Sequence, residues 1–570
     1  MIHDTRESAP RPGQTGRRIV IVGASAAGLR CAARLKRVRP GWHVIVVEQR
    51  EIFSDAACGL PYILSGDIDD PDDLRRTSWG SIRDTAYFER VKGLQILTAW
   101  RATALDPAAH ELTIESGPVV KTLGWDELIL ATGARPRTLP GIGPSPLIRT
   151  FHTRRDMNEL KEMLIRGDIR KVAIAGAGAV GCELAEAFRS LWGVDVTLIE
   201  AAGYPLPAIV DSEIGALVTN ALRRQGVTIL CGSPVRSVTS GASGVRIEAG
   251  PHTITADMLV VAIGVEPAAE LAAAAGIAIG RSGAIAVDER LATSAHHVWA
   301  AGDCIEVRHA VTGEPVHLPL GSLANRQGRV LANVLAGIPD RHSPAAGAMA
   351  VKIFDLNLAA TGCSVAQARR CGLKPKVVWL TCEDRAHYWP ETHDIQIEVV
   401  FDPASRELLG ITACGEGNVA RYIDVATQLI LQRATLDQLA RIEHAYTPSC
   451  APALDPLAVA AFVAQNCDED VEPVSPLTSF DGYAVLDVRE PPERSVHPLT
   501  GVDVMAIPFD ELRERVAELR NDRSWVVVCE RGTRSAEAVR WLAQAGLAGH
   551  YLGGGMIWRV AAGGGGHRDD

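Results

Sequence analysis

One pattern, met twice, constrains this chain more than any other feature. Residues 18–48 read as an apolar strand (19–22), a turn Gly23-Ala24-Ser25-Ala26-Ala27-Gly28, a helix to about Arg39 and a second strand ending in Glu48. From Lys171 the order repeats: strand 172–175, turn Gly176-Ala177-Gly178-Ala179-Val180-Gly181, a helix to about Leu191, and strand 195–200 ending in Glu200. Each is a βαβ unit that closes on an acid. In such a unit the first glycine makes the tight turn, the helix N-terminus faces a pyrophosphate, and the acid accepts bonds from ribose hydroxyls. The first copy has Ser25 where the middle glycine would stand, and the second matches Gly-x-Gly-x-x-Gly in full. One glycine turn is a weak signal; two, each with its terminal acid, point to a chain with two dinucleotide sites.

Two more apolar strands run into glycine: Leu128-Ile129-Leu130-Ala131-Thr132-Gly133 and Val298-Trp299-Ala300-Ala301-Gly302-Asp303. That is the form expected where a chain crosses under a bound cofactor. The domain plan follows. Residues 18–148 and 292–336 make one dinucleotide domain, and 149–291 the other. Residues 337–466 make a mixed domain, 467–477, rich in Asp, Glu and Pro, a linker, and 478–562 a compact α/β domain. The ends, 1–17 and 563–570, read as disordered tails.

Composition excludes several classes. The net charge of −10 argues against a general nucleic-acid or anionic-membrane binder. No apolar run approaches the length of a membrane span. The strand after Arg18 is not a signal peptide, so no export is inferred and a cytoplasmic site is expected. The twelve cysteines form no CxxC pair and no zinc-like cluster, so no metal is expected. Most should be buried, reduced and inert. Cys58 and Cys529 have settings that argue otherwise.

On these motifs, together with Cys58-Gly59-Leu60-Pro61-Tyr62, residues 18–466 resemble the FAD-dependent pyridine-nucleotide disulfide oxidoreductases. Within them the chain is most similar to the single-cysteine branch of CoA-disulfide reductases, NADH-dependent persulfide reductases and NADH oxidases. Residues 478 to about 560 resemble a rhodanese domain, through Leu486-Asp487-Val488-Arg489-Glu490, the loop Cys529–Ser535 and the run Leu552–Trp558. The resemblance implies an α/β fold with two Rossmann-like domains, an α+β dimerisation domain, hence a homodimer, and a C-terminal rhodanese-like domain. It implies FAD held by Gly23, Ser25, Gly28, Glu48, Ala131, Thr132, Gly133, Gly302 and Asp303. It implies a nicotinamide cofactor held by Gly176, Gly178, Gly181, Glu183, Glu200 and Gly264. A carboxylate at Glu200 repels a 2′-phosphate, so NADH is expected over NADPH.

Glutathione-reductase-type enzymes carry a CxxxxC pair, but here Ile63 stands at the second position. They also carry a His and a Glu near the end of the fold, and no Glu follows His444 at that spacing. Chemistry must therefore run through one thiol. Its resting partner could be a small thiol in a mixed disulfide, a persulfide sulfur, or oxygen in a sulfenic acid. A helix N-terminus just beyond Cys58 is expected to lower its pKa. By resemblance, Tyr388 and Tyr446 reach toward the partner subunit's cysteine, where a phenol can act as general acid. Arg30, Arg34 and Arg37 share one helix face that could hold CoA phosphates. Arg37 and Ser54 are the implied substrate contacts, and Ala57 stands where the CoA-disulfide reductases have Asn.

At the other end, an apolar strand runs into Cys529-Glu530-Arg531-Gly532-Thr533-Arg534-Ser535 and then a helix. Loop amides at a helix start stabilise a thiolate or a persulfide, and Arg534 adds charge at the C-x4-R spacing of a rhodanese. The expected activity is NADH-driven reduction of thiol persulfides or polysulfides, with CoA persulfide a candidate substrate, releasing sulfide. CoA-disulfide reduction, NADH oxidase or peroxidase chemistry, and a slow-turnover sensing or sulfur-relay protein remain alternatives.

Overall fold

The computed structural model describes residues 16–564, apart from 144, 242, 243 and 500. Most of the two expected tails, residues 1–15 and 565–570, lies outside the described residues. Arg17 lies inside: its guanidinium bonds the buried Glu127 at 2.9 Å, and its carbonyl accepts from the His43 amide.

Two parallel sheets of five strands set the plan. The first runs in the order Val298–Ala300, Glu127–Leu130, Arg18–Val22, His43–Val47, Gln95–Leu97. The second runs Thr228–Leu230, Asp195–Ile199, Lys171–Ala175, Met258–Val261, Ile148–Thr150. Their central strands are buried along nearly their whole length, which is why they read as continuous Val/Ile/Leu/Ala runs rather than alternating ones. Each sheet carries a small antiparallel three-stranded sheet before the strand that returns to its centre.

The segment after the first unit crosses the boundary between them. Leu60, Ile63 and Leu64 are buried in the core of the second unit, beside Leu184 and Phe188 of its glycine-turn helix, Ala179–Ser190. Cys58 is thus carried by the first domain and anchored in the second.

The third domain is an antiparallel sheet ordered Met349–Ile353, Leu356–Gly362, Leu408–Gly415, Asp394–Phe401, Lys376–Glu383, with helices Ala420–Leu431 and Pro456–Asn466 packed on it. The last is a parallel sheet ordered Pro473–Val474, Gly549–Leu552, Trp525–Val528, Ala484–Asp487, Val504–Ala506.

The segment expected to be a linker is part of this last domain. Pro473–Val474 pairs with Tyr551 and Leu552, and Cys467 and Val471 are buried. Proline is compatible with this place because the strand is at the sheet edge, where a missing N–H costs no ladder bond. The last domain is also fixed to its neighbours. The Gly554 amide donates to the Trp379 carbonyl at 3.1 Å, and the Thr381 hydroxyl to the Gly554 carbonyl at 2.6 Å. Ser475 donates to Glu213, Asn220 to the Ala561 carbonyl, and Trp558 is fully buried in the second core.

Candidate active site and cofactor cradles

The two glycine turns are built alike. A Cβ at Gly28 would stand 2.0 Å from the Gly23 carbonyl oxygen, and one at Gly181 would stand 1.9 Å from that of Gly176. No side chain fits at these positions, because helix and strand close on each other there. The middle position differs: a Cβ at Gly178 would meet open space, and Ser25 takes an extended backbone at φ −112° that any residue adopts. This is why serine is tolerated in the first copy. Both helices begin without a side-chain cap and without an acid in the first turn. Their first amides are left for an anion, as a pyrophosphate requires.

The two terminal acids also correspond. Glu48 accepts from the Ala24 amide at 2.8 Å and the Arg50 amide at 3.0 Å; Glu200 accepts from the Ala177 and Ala202 amides, both at 2.8 Å. The Arg50 guanidinium folds over Glu48, whereas alanine occupies the matching place beside Glu200. Burial works against ionisation of Glu48, yet Arg50 and the two amides hold its carboxyl below the usual range.

Ala131 closes on the first turn, its amide donating to the Val22 carbonyl. Thr132 donates its hydroxyl to Ala268, Gly133 takes φ +73°, and Gly264 takes φ +92°. The Gly302 amide is held by the buried side chain of Gln327 at 2.7 Å, a residue that no motif marked. Beside it, Asp303 is pushed up by burial, and its carboxylate has no hydrogen-bond partner among the described residues. An unanswered carboxylate and two uncapped helix starts are what a flavin dinucleotide and a nicotinamide dinucleotide would satisfy, so the residues fit both groups.

Cys58 lies in the turn Ala57–Gly59, ahead of the short helix Leu60–Leu64, and is exposed. Its thiol is pushed up by burial of its surroundings and by the charges of Glu183 and Asp303; its own amide works the other way. The expected lowering by a helix N-terminus is not met, since the helix is a single turn and two carboxylates face the sulfur. The same charges place Cys58 where the two dinucleotide domains meet, Glu183 from one and Asp303 from the other. Burial and Glu186 raise Glu183 to about 7. Tyr62, unremarked in the sequence, shares this space, and its phenol is raised to about 12 by burial, then by the charges of Glu183 and Glu186.

Tyr388 and Tyr446 are brought together on the third domain. Both are exposed, and the Tyr446 hydroxyl raises the Tyr388 phenol. Among the described residues neither interacts with Cys58 of its own chain. Arg37 and Ser54 do meet: they line a cavity of about 290 Å³ with Arg30, Asp55, Arg83 and Lys92. Ser54 is buried and left-handed at φ +67°, a conformation costing about 1 kcal/mol outside glycine. Arg34 does not join them; its guanidinium turns to Asn333 on the helix Gly321–Leu335. Asp55, three residues before Cys58, is pinned by Arg154, which also bonds Asp72.

Cys529 is buried at the end of the strand Trp525–Val528. The Gly532 amide points at its sulfur from 3.1 Å, the Ser535 amide from 3.4 Å, and the Ser535 hydroxyl stands at 3.3 Å. Ser535, fully buried, is a direct neighbour of the thiol that spacing alone did not reveal. Arg534 lies close enough to feel the Cys529 charge but is paired with Glu493. The loop is held from behind by Arg489, fully buried, which grips both oxygens of Asp487 and one oxygen of Glu530 at 2.9–3.0 Å. Among the described residues all twelve cysteines are free, no side-chain group could hold a metal ion, and no helix is long and apolar enough to cross a membrane.

Comparison with known proteins agrees with this geometry. Residues 17–327 match the model of the pyridine nucleotide-disulphide oxidoreductases, 348–458 that of their dimerisation domain, and 475–558 a rhodanese-like domain. The chain is similar to the NAD-dependent persulfide reductase of A. fulgidus, with a TM-score of 0.91 at 36% identity, over 95% of this chain and 99% of that one. It is similar to reduced CoADR-RHD of Bacillus anthracis, with a TM-score of 0.89 at 30% identity, over 96% and 98% of the two chains. It is 30% identical over 450 residues to the NAD(P)H coenzyme A polysulfide/persulfide reductase of Pyrococcus horikoshii, covering 78% of this chain and 98% of the relative. The chain therefore belongs to the pyridine nucleotide-disulphide oxidoreductases, FAD- and NAD(P)H-dependent enzymes, and carries a rhodanese-like domain at its C-terminal end.

Proposed function

We propose that this enzyme is an NADH-dependent reductase of thiol persulfides and polysulfides that works through Cys58, with Cys529 as a carrier of sulfane sulfur. The observation that carries this reading is the place of Cys58: one exposed thiol where the two dinucleotide domains meet, with no second sulfur bonded to it. FAD, held by the first glycine turn, Glu48, Ala131–Gly133, Gly302 and Asp303, would supply an electron pair taken from NADH at the second unit.

The chain's residues supply the rest. The Cys58 thiolate attacks the outer sulfur of a persulfide RS–SH. The RS–SH bond breaks, a bond to Cys58 forms, and RS⁻ leaves. The leaving thiolate takes a proton from a phenol, Tyr388 or Tyr446 of the partner subunit in a homodimer. Two electrons then break the new S–S bond, releasing HS⁻ and restoring the Cys58 thiolate. The sum is RSSH + NADH + H⁺ giving RSH + H₂S + NAD⁺. Arg30, Arg37, Arg83 and Lys92 around the cavity beside Ser54 favour a carrier R that bears phosphates, such as CoA. Cys529, in its amide cradle, suits a sulfur that must stay anionic while it waits for transfer.

Anaerobic NADH consumption with CoA persulfide and, separately, CoA disulfide tests the reading in wild type, Cys58→Ser and Cys529→Ser. Persulfide should be the better substrate, and Cys58→Ser should abolish its turnover. If disulfide turns over faster, the enzyme is a CoA-disulfide reductase; if only oxygen is reduced, it is an oxidase. Run with NADPH, the same assay should give the lower kcat/KM. Glu200, which no cation pairs with among the described residues, would face a 2′-phosphate as one negative charge against another.

A further inference from the structure

We propose that Arg531, in the rhodanese loop, is a positioning residue for the reductase. It holds in register the hairpin that carries Tyr388, so that reduction at Cys58 depends on the docked rhodanese domain even when Cys529 has no part in the turnover. The inference rests on the reading of Tyr388 as an acid.

Arg531 lies two residues after Cys529, but its guanidinium leaves the loop. One nitrogen meets Glu383 at 3.1 Å and another meets Asp394. Glu383 ends the strand Lys376–Glu383, Asp394 begins the strand Asp394–Phe401, and the two are paired across the ladder. Like charges opposite each other on a rung repel. Here a cation from another domain sits between them. The segment 384–393 springs directly from this rung. Its neck is closed by the Asp384 amide donating to the His393 carbonyl and the His393 amide donating to the Asp384 carboxylate, both at 3.0 Å. Beyond the neck, the Ala386 amide donates to the carbonyl of Pro448, two residues from Tyr446. One guanidinium thus stands behind both phenols. The Gly554 contacts to Trp379 and Thr381, on the same strand as Glu383, keep Arg531 over the rung.

Without Arg531 two carboxylates face each other at the base of the hairpin, and the neck should open. The test uses CoA persulfide supplied in solution, under anaerobic conditions, with the FAD-loaded full chain. Arg523→Met, which removes a surface cation of the rhodanese domain that pairs with its neighbour Asp522, should turn over at the wild-type rate. Arg531→Met should lower kcat roughly fivefold, within the usual range for coupling between contacting groups, with KM for NADH unchanged. Adding Glu383→Gln to Arg531→Met should recover most of the loss, because the repulsion is gone. A double variant as slow as Arg531→Met overturns the inference. So does Arg531→Met at the wild-type rate beside a slow Tyr388→Phe, which leaves the role of Tyr388 standing. Tyr388→Phe at full rate removes the acid and this inference together.

Discussion

Cys58 and Cys529 each sit where a turn runs into a helix, yet their surroundings are opposite. Cys529 is buried, and the donors around it come from the six residues that follow it in the chain. Cys58 is exposed, and the groups that act on it come from distant parts of the chain, one in each dinucleotide domain, and carry negative charge. The first site is complete as the chain folds: it can hold a charged sulfur by itself. The second is not. The carboxylates of Glu183 and Asp303 oppose the thiolate, and Asp303, without a hydrogen-bond partner among the described residues, is placed to meet a bound cofactor. A thiol kept protonated until the electron carrier is in place resists oxidation while idle. On the proposed function one site stores sulfur and the other reduces it, and the contrast in their fields fits that division.

The largest expected effect separates the two sites outright. Cys58→Ser should lower NADH-driven persulfide reduction by about a thousandfold or more, as loss of a covalent nucleophile does. The same variant should leave the transfer of sulfur from thiosulfate to cyanide at the rhodanese site untouched. Cys529→Ser should do the reverse. If Cys58→Ser also stopped that transfer, the two thiols would form one relay and the division of labour would fail. Next in size is Ser535→Ala, which removes from the Cys529 cradle a hydroxyl that can donate to the sulfur or to the Gly532 carbonyl, 2.9 Å away, while keeping both amides. A hydrogen bond to a charged group contributes about 1.5–3 kcal/mol, so sulfur transfer should fall by roughly 10- to 100-fold. An unchanged rate would mean that the amides suffice and that the hydroxyl only packs.

The same contrast marks what could be read from sequence. The two glycine turns and the Cys529 loop were legible because each is closed by residues next to it: Gly28 against Gly23, Gly181 against Gly176, the Gly532 amide against Cys529. The fold class followed from them. The surroundings of Cys58 were not legible. Motifs marked Glu183 and Asp303 as cofactor residues, but nothing local says that both face one sulfur. The helix beyond Cys58, read as an activating dipole, is one turn long and outweighed. Arg34 left its basic stripe because Asn333, far along the chain, offered a neutral acceptor. The acidic, proline-containing stretch 467–477 misled by composition: its Pro473 is compatible with a strand only at a sheet edge, and sequence does not say which strand is the edge.

The smallest effect tests the charge side of the comparison. Glu183 titrates near 7 and the Cys58 thiol is pushed above its ordinary range, so in wild type the carboxylate is already negative when the thiol loses its proton. That charge opposes the thiolate, and the thiol titration should be displaced upward. Glu183→Gln removes that opposition and leaves burial and Asp303 in place. The rate at which iodoacetamide alkylates the Cys58 peptide should then rise at lower pH, while the plateau at high pH, where the thiolate is fully formed, stays within about twofold. Alkylation of Cys529, whose neighbours are unchanged, should not move. A Cys58 curve that stays where it was would mean that the Glu183 charge does not reach the sulfur. Burial alone would then separate the two thiols, and Asp303→Asn would be equally silent.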